Sequence, residues 1–203
     1  MTKSDFYSSL GLLVEKNFFD IEVCERIRRE MNTAQGDPAG VIKMDKALYD
    51  EKVRKTKEQK VSQETLSFVK KRLSELKPLL ESHFGKVLRG YQDPVFLYYK
   101  KGDFFLPHYD KGIKPENPKE IRDREVSAVV FLNSEDDNTD EDSYSGGSLR
   151  FYGLRDDPLF KNHGFHIIGK TGMLLAFRSE ILHEVTPIEE GERYTVVTWF
   201  VGE

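Results

Sequence analysis

Five histidines stand at positions 83, 108, 163, 166 and 183, and only His108 has a carboxylate at strand spacing, in Phe105-Leu106-Pro107-His108-Tyr109-Asp110. Residues i and i+2 of a strand point to one face, so His108 and Asp110 can converge on one ion while Tyr109 faces away. Two ligands hold a divalent metal poorly. The best third candidate is His183, just past the apolar strand Met173–Phe177, in Glu180-Ile181-Leu182-His183-Glu184-Val185-Thr186-Pro187. Two imidazoles and one carboxylate on one side of a metal leave the opposite side open, as non-haem Fe(II) requires for a chelating cosubstrate and O₂. Taken alone, this spacing fits one core histidine and one capping aspartate better.

Arg193 adds an independent signal. It opens the strand Arg193-Tyr194-Thr195-Val196-Val197-Thr198-Trp199-Phe200, whose alternation puts Arg193, Thr195, Val197 and Trp199 on one face. An arginine on an inward, otherwise apolar face is costly without a partner. A dicarboxylate supplies one, because guanidinium grips a carboxylate through two charged hydrogen bonds. Val95, Leu97 and Tyr99 form a second inward row, from which the Tyr99 hydroxyl reaches the same ligand.

These groups need elements to position them. The first ninety residues read as helical: Asp20 is an N-cap before Cys24, Ile27 and Met31 at helical spacing, ended by Gly36-Asp37-Pro38. A second helix starts at Ser62 or Glu64, with Leu66, Val69, Leu73, Leu76, Leu80 and Phe84 on one stripe, Gly85 as C-cap and Pro78 marking a kink or break. His83, in its last turn, reads as a cap and Cys24 as a small buried hydrophobe. From Tyr91 the period becomes two, with candidate strands Val95–Tyr99, Val126–Leu132, Ser148–Tyr152, Phe165–Ile168, Met173–Phe177 and Tyr194–Val201. Short strands without alternating helices favour a sandwich or barrel, with the helices packed on one outer face.

The run Tyr99-Lys100-Lys101-Gly102-Asp103-Phe104-Phe105-Leu106-Pro107-His108-Tyr109-Asp110 resembles the Y-x-x-G-x-x-[YF]-x-x-H-x-D signature of prolyl 4-hydroxylase-type Fe(II)/2-oxoglutarate dioxygenases. Gly146-Gly147-Ser148-Leu149-Arg150-Phe151 resembles the family's G-G-x-L-x-F strand, and Gly172 to Phe177, His183-Glu184-Val185 and Arg193 complete its C-terminal half. The resemblance runs in order from about Tyr91 to Val201. It implies an α+β domain over residues 1–203, with helical support in 1–90 and a double-stranded β-helix (jelly-roll) core in 91–203. It implies that His108, Asp110 and His183 bind Fe(II) and that Arg193 binds the distal carboxylate of 2-oxoglutarate, with Tyr99 nearby. O₂ is the co-reactant and ascorbate a candidate reductant; 2-oxoglutarate leaves as succinate and CO₂ while the substrate is hydroxylated. Asp110 favours hydroxylation over halogenation, since related halogenases lack that carboxylate. Some members carry a second cosubstrate-binding tyrosine in the strand aligned with Ala128-Val129-Val130-Phe131; here those residues are apolar, and Thr195 is the offered substitute.

Composition narrows the alternatives. The 203 residues are 38% hydrophobic and 33% charged, a globular balance, with mean hydropathy −0.57. No apolar run approaches the roughly 20 residues of a membrane span, and Met1–Val14 has no secretory pattern, so no membrane partner is expected. The single cysteine, Cys24, fits a reducing compartment, and a cytoplasmic location is expected. The net charge of −4 is unevenly spread: Asn133–Gly147 holds Glu135, Asp136, Asp137, Asp140, Glu141 and Asp142 without a base. Lys43–Lys77 is basic. Both read first as solvated faces, the acidic one also as an overhang near the site that favours a basic substrate. Its calcium-loop pattern fails, because Glu141 replaces the required glycine and Gly147 the last glutamate.

No nucleic-acid partner is expected, since Trp199 stands where demethylases of this superfamily carry a second arginine. The leading expectation is hydroxylation of a prolyl or similar residue in a protein or peptide. The alternatives are hydroxylation of a free amino acid or other small metabolite, and a non-catalytic metal-binding barrel. His163 and His166 read as surface or loop residues.

Overall fold

Successive side chains of the strand Arg124–Phe131 part into two cores: Val126, Ala128 and Val130 join helix-derived side chains, whereas Val129 and Phe131 face the opposite way. That division recurs in each central strand and determines the architecture. The computed structural model describes residues 3–34, 36–43, 46–48, 50–136, 142–158 and 162–202. Helix α1 (Lys3–Ser9) precedes β1 (Leu12–Glu15) and α2 (Ile21–Thr33). Short strands β2 (Asp37–Pro38), β3 (Val41–Lys43), β4 (Lys46–Leu48), β5 (Arg54–Lys55) and β6 (Lys57–Gln59) lead to the long α3 (Gln63–Phe84). Then come β7 (Leu88–Tyr91), β8 (Val95–Lys100), β9 (Phe104–His108), α4 (Lys119–Arg122), β10 (Arg124–Phe131), β11 (Ser134–Glu135) and β12 (Ser143–Gly146). The chain closes with β13 (Leu149–Phe151), β14 (Phe165–Ile167), β15 (Leu174–Arg178), β16 (His183–Val185) and β17 (Ile188–Gly202).

The strands form two principal sheets. The larger has the order β1-β15-β10-β17-β8-β6-β2, with β7 and β12 also paired to the long β17; the smaller runs β14-β13-β16-β9-β5. Neighbours along both are antiparallel. The outer face of the larger sheet packs on α2 and α3 through Phe96, Leu174, Ala176, Val196 and Phe200. Leu97, Tyr99, Leu175, Phe177, Leu149 and Val185 build the core associated with the smaller sheet.

Helix α3 follows its expected stripe: Val69, Leu73, Leu76, Leu80 and Phe84 are buried, the Ser62 hydroxyl accepts from Thr65 N, and Gly85 ends the helix in the left-handed region at φ 62°. Pro78 does not end it, because this residue lies on the exposed side, where water can serve the carbonyl that a proline leaves without a donor. Asp20 precedes α2 but makes no side-chain cap. Cys24, Ile27 and Met31 are buried.

The helical expectation for residues 1–90 needs correction. Strand β1 lies beside β15 at the edge of the larger sheet, β6 extends it beyond β8, and β5 extends the smaller sheet beyond β9. These strands are short, and β6 is the charged run Lys57-Glu58-Gln59. Their pairing is through backbone, so they carry little of the alternation that marks a buried strand. No helix among the described residues is long and apolar enough to cross a membrane.

The N-terminal region is fastened to the β structure at Gly172, whose carbonyl accepts from Phe19 N at 3.2 Å. Gly172 has φ +77°, and a Cβ there would meet Phe19 O at 2.1 Å. Gly172→Ala therefore combines left-handed strain with a backbone clash and should lower stability by about 2 kcal/mol or more. Urea denaturation measures it; an unchanged midpoint would refute this account.

Candidate active site

Antiparallel pairing of β9 with β16 sets His108 opposite His183, but Val185 pairs with Phe105, so β9 carries an extra residue between these positions. Pro107, which has no N–H to give a ladder, falls in that irregular stretch. The ring of His108 stacks on Phe105, three residues earlier, with centroids 3.5 Å apart. The His108 and His183 ring centroids are 4.3 Å apart.

Asp110 lies past the end of β9, so regular strand alternation does not by itself position it. Its backbone N–H donates to Ser179 O at 3.1 Å. Its Oδ2 accepts from Ser127 Oγ at 2.6 Å, and Ser127 Oγ lies 2.9 Å from Ser179 Oγ. His108 Nε2 lies 3.7 Å from Asp110 Oδ1, and His183 Nε2 lies 3.6 Å from Oδ2. All three residues offer ligand atoms within 4.8 Å of one another, and they form the one such group among the described residues.

The second ring nitrogens fit metal binding. His108 Nδ1 is 2.8 Å from Leu106 O and His183 Nδ1 is 2.9 Å from Ile181 O. A ring N–H donated to a carbonyl fixes the tautomer and leaves the Nε2 lone pair facing the cluster. Burial, reinforced by the His183 charge, pushes His108 down to about 3, so its imidazole is neutral as a ligand must be. Burial opposes the charge of Asp110, but His183, His108, Ser127 and Arg124 outweigh it and hold the carboxyl below its usual range.

Deeper in the same core, Arg193 is 1% exposed. Its guanidinium lies over the rings of Tyr99 (5.1 Å) and Phe131 (5.4 Å). Nη1 donates a long 3.4 Å hydrogen bond to Thr195 Oγ1, while Nε has no partner among the described residues. Tyr99 and Thr195 are likewise buried. Gly147, at φ +66°, makes room here: a Cβ would stand 2.3 Å from Ile188 Cδ1 and 3.1 Å from Arg193 Cδ. A buried guanidinium so poorly compensated suits an anionic ligand.

Three contributors were not legible as site residues. Ser127 supports Asp110 and carries a weak signal, a single hydroxyl among apolar neighbours in Val126-Ser127-Ala128-Val129. Phe105 stacks on His108 only because β9 is irregular. Tyr144, fully buried beside Arg193, sits in a serine-flanked stretch after the acidic run and gives no periodic signal. Of that run, Asp137, Asn138, Thr139, Asp140 and Glu141 lie outside the described residues. Asp142 pairs with Arg28 of α2 at 2.6 Å, and Glu135 accepts from the Ser148 hydroxyl. His166 accepts from Arg150 Nε at 2.7 Å, and His163 is exposed.

A two-sheet antiparallel roll that gathers two histidines and an aspartate near a buried arginine defines a class of metal-dependent oxygenase fold. Residues 94–201 match the family model of the 2OG-Fe(II) oxygenase superfamily. A PKHD-type hydroxylase of Rhizorhabdus wittichii is 33% identical over 108 residues, which are 52% of this chain and 41% of that protein. One from Shewanella sp. is 30% identical over 109 residues, with the same coverage. The chain thus spans about two fifths of the length of these curated relatives. Among solved structures, a Pseudomonas putida prolyl-4-hydroxylase superposes with TM-score 0.71 at 22% identity, covering 98% of this chain and 97% of that one. A Trichoplax adhaerens prolyl hydroxylase, solved with a hypoxia inducible factor peptide fragment, gives 0.73 at 18%, covering 98% and 88%. The chain belongs to the 2OG-Fe(II) oxygenase superfamily, a family that uses Fe(II), 2-oxoglutarate and O₂, and its sheets form the double-stranded β-helix of the prolyl hydroxylase neighbours.

Two outcomes test the site geometry. Ser127→Ala should weaken divalent-metal binding roughly 10- to 100-fold by titration calorimetry, because Asp110 loses its orienting donor; unchanged affinity would refute that role. In the metal-free protein, His108 stays neutral when folded down to about pH 3 but protonates near pH 6.5 once unfolded. Between those limits the unfolded chain binds more protons, so stability falls on acidification. Asp110 adds a loss of the same sign as pH falls through its depressed carboxyl pKa. Because the His108 side chain is 18% exposed, water moderates the effect. Urea midpoints at about pH 7, 6 and 5 should decline, less steeply in His108→Gln; equal slopes would remove His108 as the cause.

Proposed function

We propose that this protein is an Fe(II)- and 2-oxoglutarate-dependent hydroxylase of a prolyl or similar residue in a peptide or protein, with His108, Asp110 and His183 holding iron and Arg193 holding the cosubstrate's distal carboxylate. The observation that carries this is the convergence of two carbonyl-tethered imidazoles and a Ser127-held carboxylate, with an undercompensated arginine buried in the same core. Bound iron, 2-oxoglutarate and O₂ supply the oxidising chemistry, which yields succinate, CO₂ and a hydroxylated product.

The chain's own residues position and shield. His108 and His183 present Nε2, and Asp110 presents a carboxylate kept ionised by its neighbours. Phe151 and Phe177 flank the His183 ring at 5.8 and 4.7 Å, keeping water from that side. Tyr99 offers its ring, and Thr195 its hydroxyl, to the guanidinium that meets the cosubstrate.

The surroundings favour a peptide. His108 is the most exposed of the three, and Leu106, Tyr109 and Ile113, close to it along the chain, are large hydrophobic residues left exposed. Arg124 stacks on the Trp199 indole at 3.7 Å and donates to Asp110 O, while Trp199 Nε1 has no partner among the described residues. An apolar rim of this kind suits the side chains of a peptide. The structural neighbour from Trichoplax adhaerens, itself bound to a peptide fragment, is consistent with that class.

Succinate formation with iron and 2-oxoglutarate, measured over prolyl peptides and free amino acids, tests the proposal. Peptides should stimulate turnover, free amino acids should not, and His108→Ala should abolish it. Stimulation by free amino acids alone would replace the peptide reading with a metabolite one; no activity after iron reconstitution would favour a non-catalytic barrel.

A further inference from the structure

The undercompensated Arg193 has a neighbour that nothing above assigns. Tyr144, on β12, is fully buried, and its hydroxyl lacks a hydrogen-bond partner among the described residues. The Arg193 charge acts on this hydroxyl, but the pair does not close a hydrogen bond of good geometry. An unsatisfied buried hydroxyl costs stability unless a ligand completes it.

Two glycines locate the pair. A Cβ on Gly147 would lie 2.3 Å from Ile188 Cδ1, 3.1 Å from Arg193 Cδ and 3.3 Å from Tyr144 Cε2, so guanidinium stem and phenol ring pack against the same glycine. A Cβ on Gly169 would lie 2.7 Å from the Tyr144 hydroxyl and 2.3 Å from Phe131 Cδ1, which puts that hydroxyl at the edge of the Phe131 ring. Phe131 itself faces Arg193 at 5.4 Å without a donor. The wall of β10 therefore offers no hydroxyl here, and β12 brings one from the adjoining side.

We propose that Tyr144 is the hydroxyl donor that, with Arg193, binds the distal carboxylate of the cosubstrate; the inference rests on the reading of Arg193 given above. A carboxylate placed between them receives charged N–H donors and an O–H, satisfying both orphaned groups at once. Burial pushes the phenol up to about 12, so it remains a donor across the neutral range. The backbone of Tyr144 is fixed, since its carbonyl accepts from Asp136 N at 2.8 Å and the residue pairs with Gly191 of β17. Thr195 has a different part: its oxygen accepts from Arg193 and orients the guanidinium. Glu135, paired across from Tyr144, accepts from the Ser148 hydroxyl through Oε1, while its buried Oε2 has no partner among the described residues and its charge acts on both Arg193 and Tyr144; burial pushes this carboxyl up, so it compensates the guanidinium only in part.

The test is calorimetric titration of Mn(II)-loaded protein with 2-oxoglutarate and with 2-oxopentanoate, which keeps the 2-oxo acid head but lacks the distal carboxylate. Tyr144→Phe should weaken 2-oxoglutarate binding at least about tenfold and change 2-oxopentanoate binding less than about twofold, which also shows that the variant is folded. Thr195→Val should weaken 2-oxoglutarate less than Tyr144→Phe does. Unchanged 2-oxoglutarate affinity in Tyr144→Phe, or equal weakening of both acids, would overturn the proposal. A wild-type protein that does not prefer 2-oxoglutarate would instead overturn the reading of Arg193, and this inference with it.

Discussion

The pairing of His108 with His183 across two neighbouring strands is the constraint on which the site depends. A metal centre needs its ligand atoms within a few ångströms and with their lone pairs converging. Adjacent antiparallel strands bring two imidazoles together at little entropic cost, because the ladder already fixes both backbones. A regular ladder would put His108 and Phe105 on opposite faces. The irregular stretch at Leu106-Pro107 lets both rings stack on one side. Asp110 then needs no strand, since Ser179 holds its backbone and Ser127 its side chain.

The second constraint is the cost of Arg193. A guanidinium inside an apolar core is tolerated when aromatic faces and hydroxyls surround it and a ligand completes it. Tyr99, Phe131, Thr195 and Tyr144 provide that lining, and Gly147 lets Ile188, Arg193 and Tyr144 pack closely where any side chain would clash. The rings around Arg193 and those flanking His183 belong to one core, and under the proposed function a chelating dicarboxylate would engage both groups.

Much of this was legible where burial writes a period into the sequence. Val126 to Phe131 and Leu174 to Phe177 have cores on both faces, so they read as continuous apolar runs. The α3 stripe is equally plain. His108, Asp110, His183 and Arg193 were singled out because their types are costly or reactive in those positions. What was not legible depends on register and backbone pairing. The short outlying strands β1, β5 and β6 show little periodicity, Phe105 reaches His108 only through an irregularity, and Tyr144 comes beside Arg193 because β12 pairs with β17 rather than through any local pattern.

That hidden pairing also changes the standing of the N-terminal third. Strand β5 continues the smaller sheet beside β9, and its Arg54 guanidinium lies 4.7 Å from the centre of the Phe105 ring. Phe105 in turn stacks on His108, so a charge from the N-terminal region sits at the end of a three-membered stack that finishes on His108. Burial is the main reason the His108 imidazole stays neutral, and the Arg54 charge acts in the same direction. A segment that packed only as an outer support would exert no such influence. Strand β5 is therefore one wall of the site, bordering Phe105 and, through it, His108.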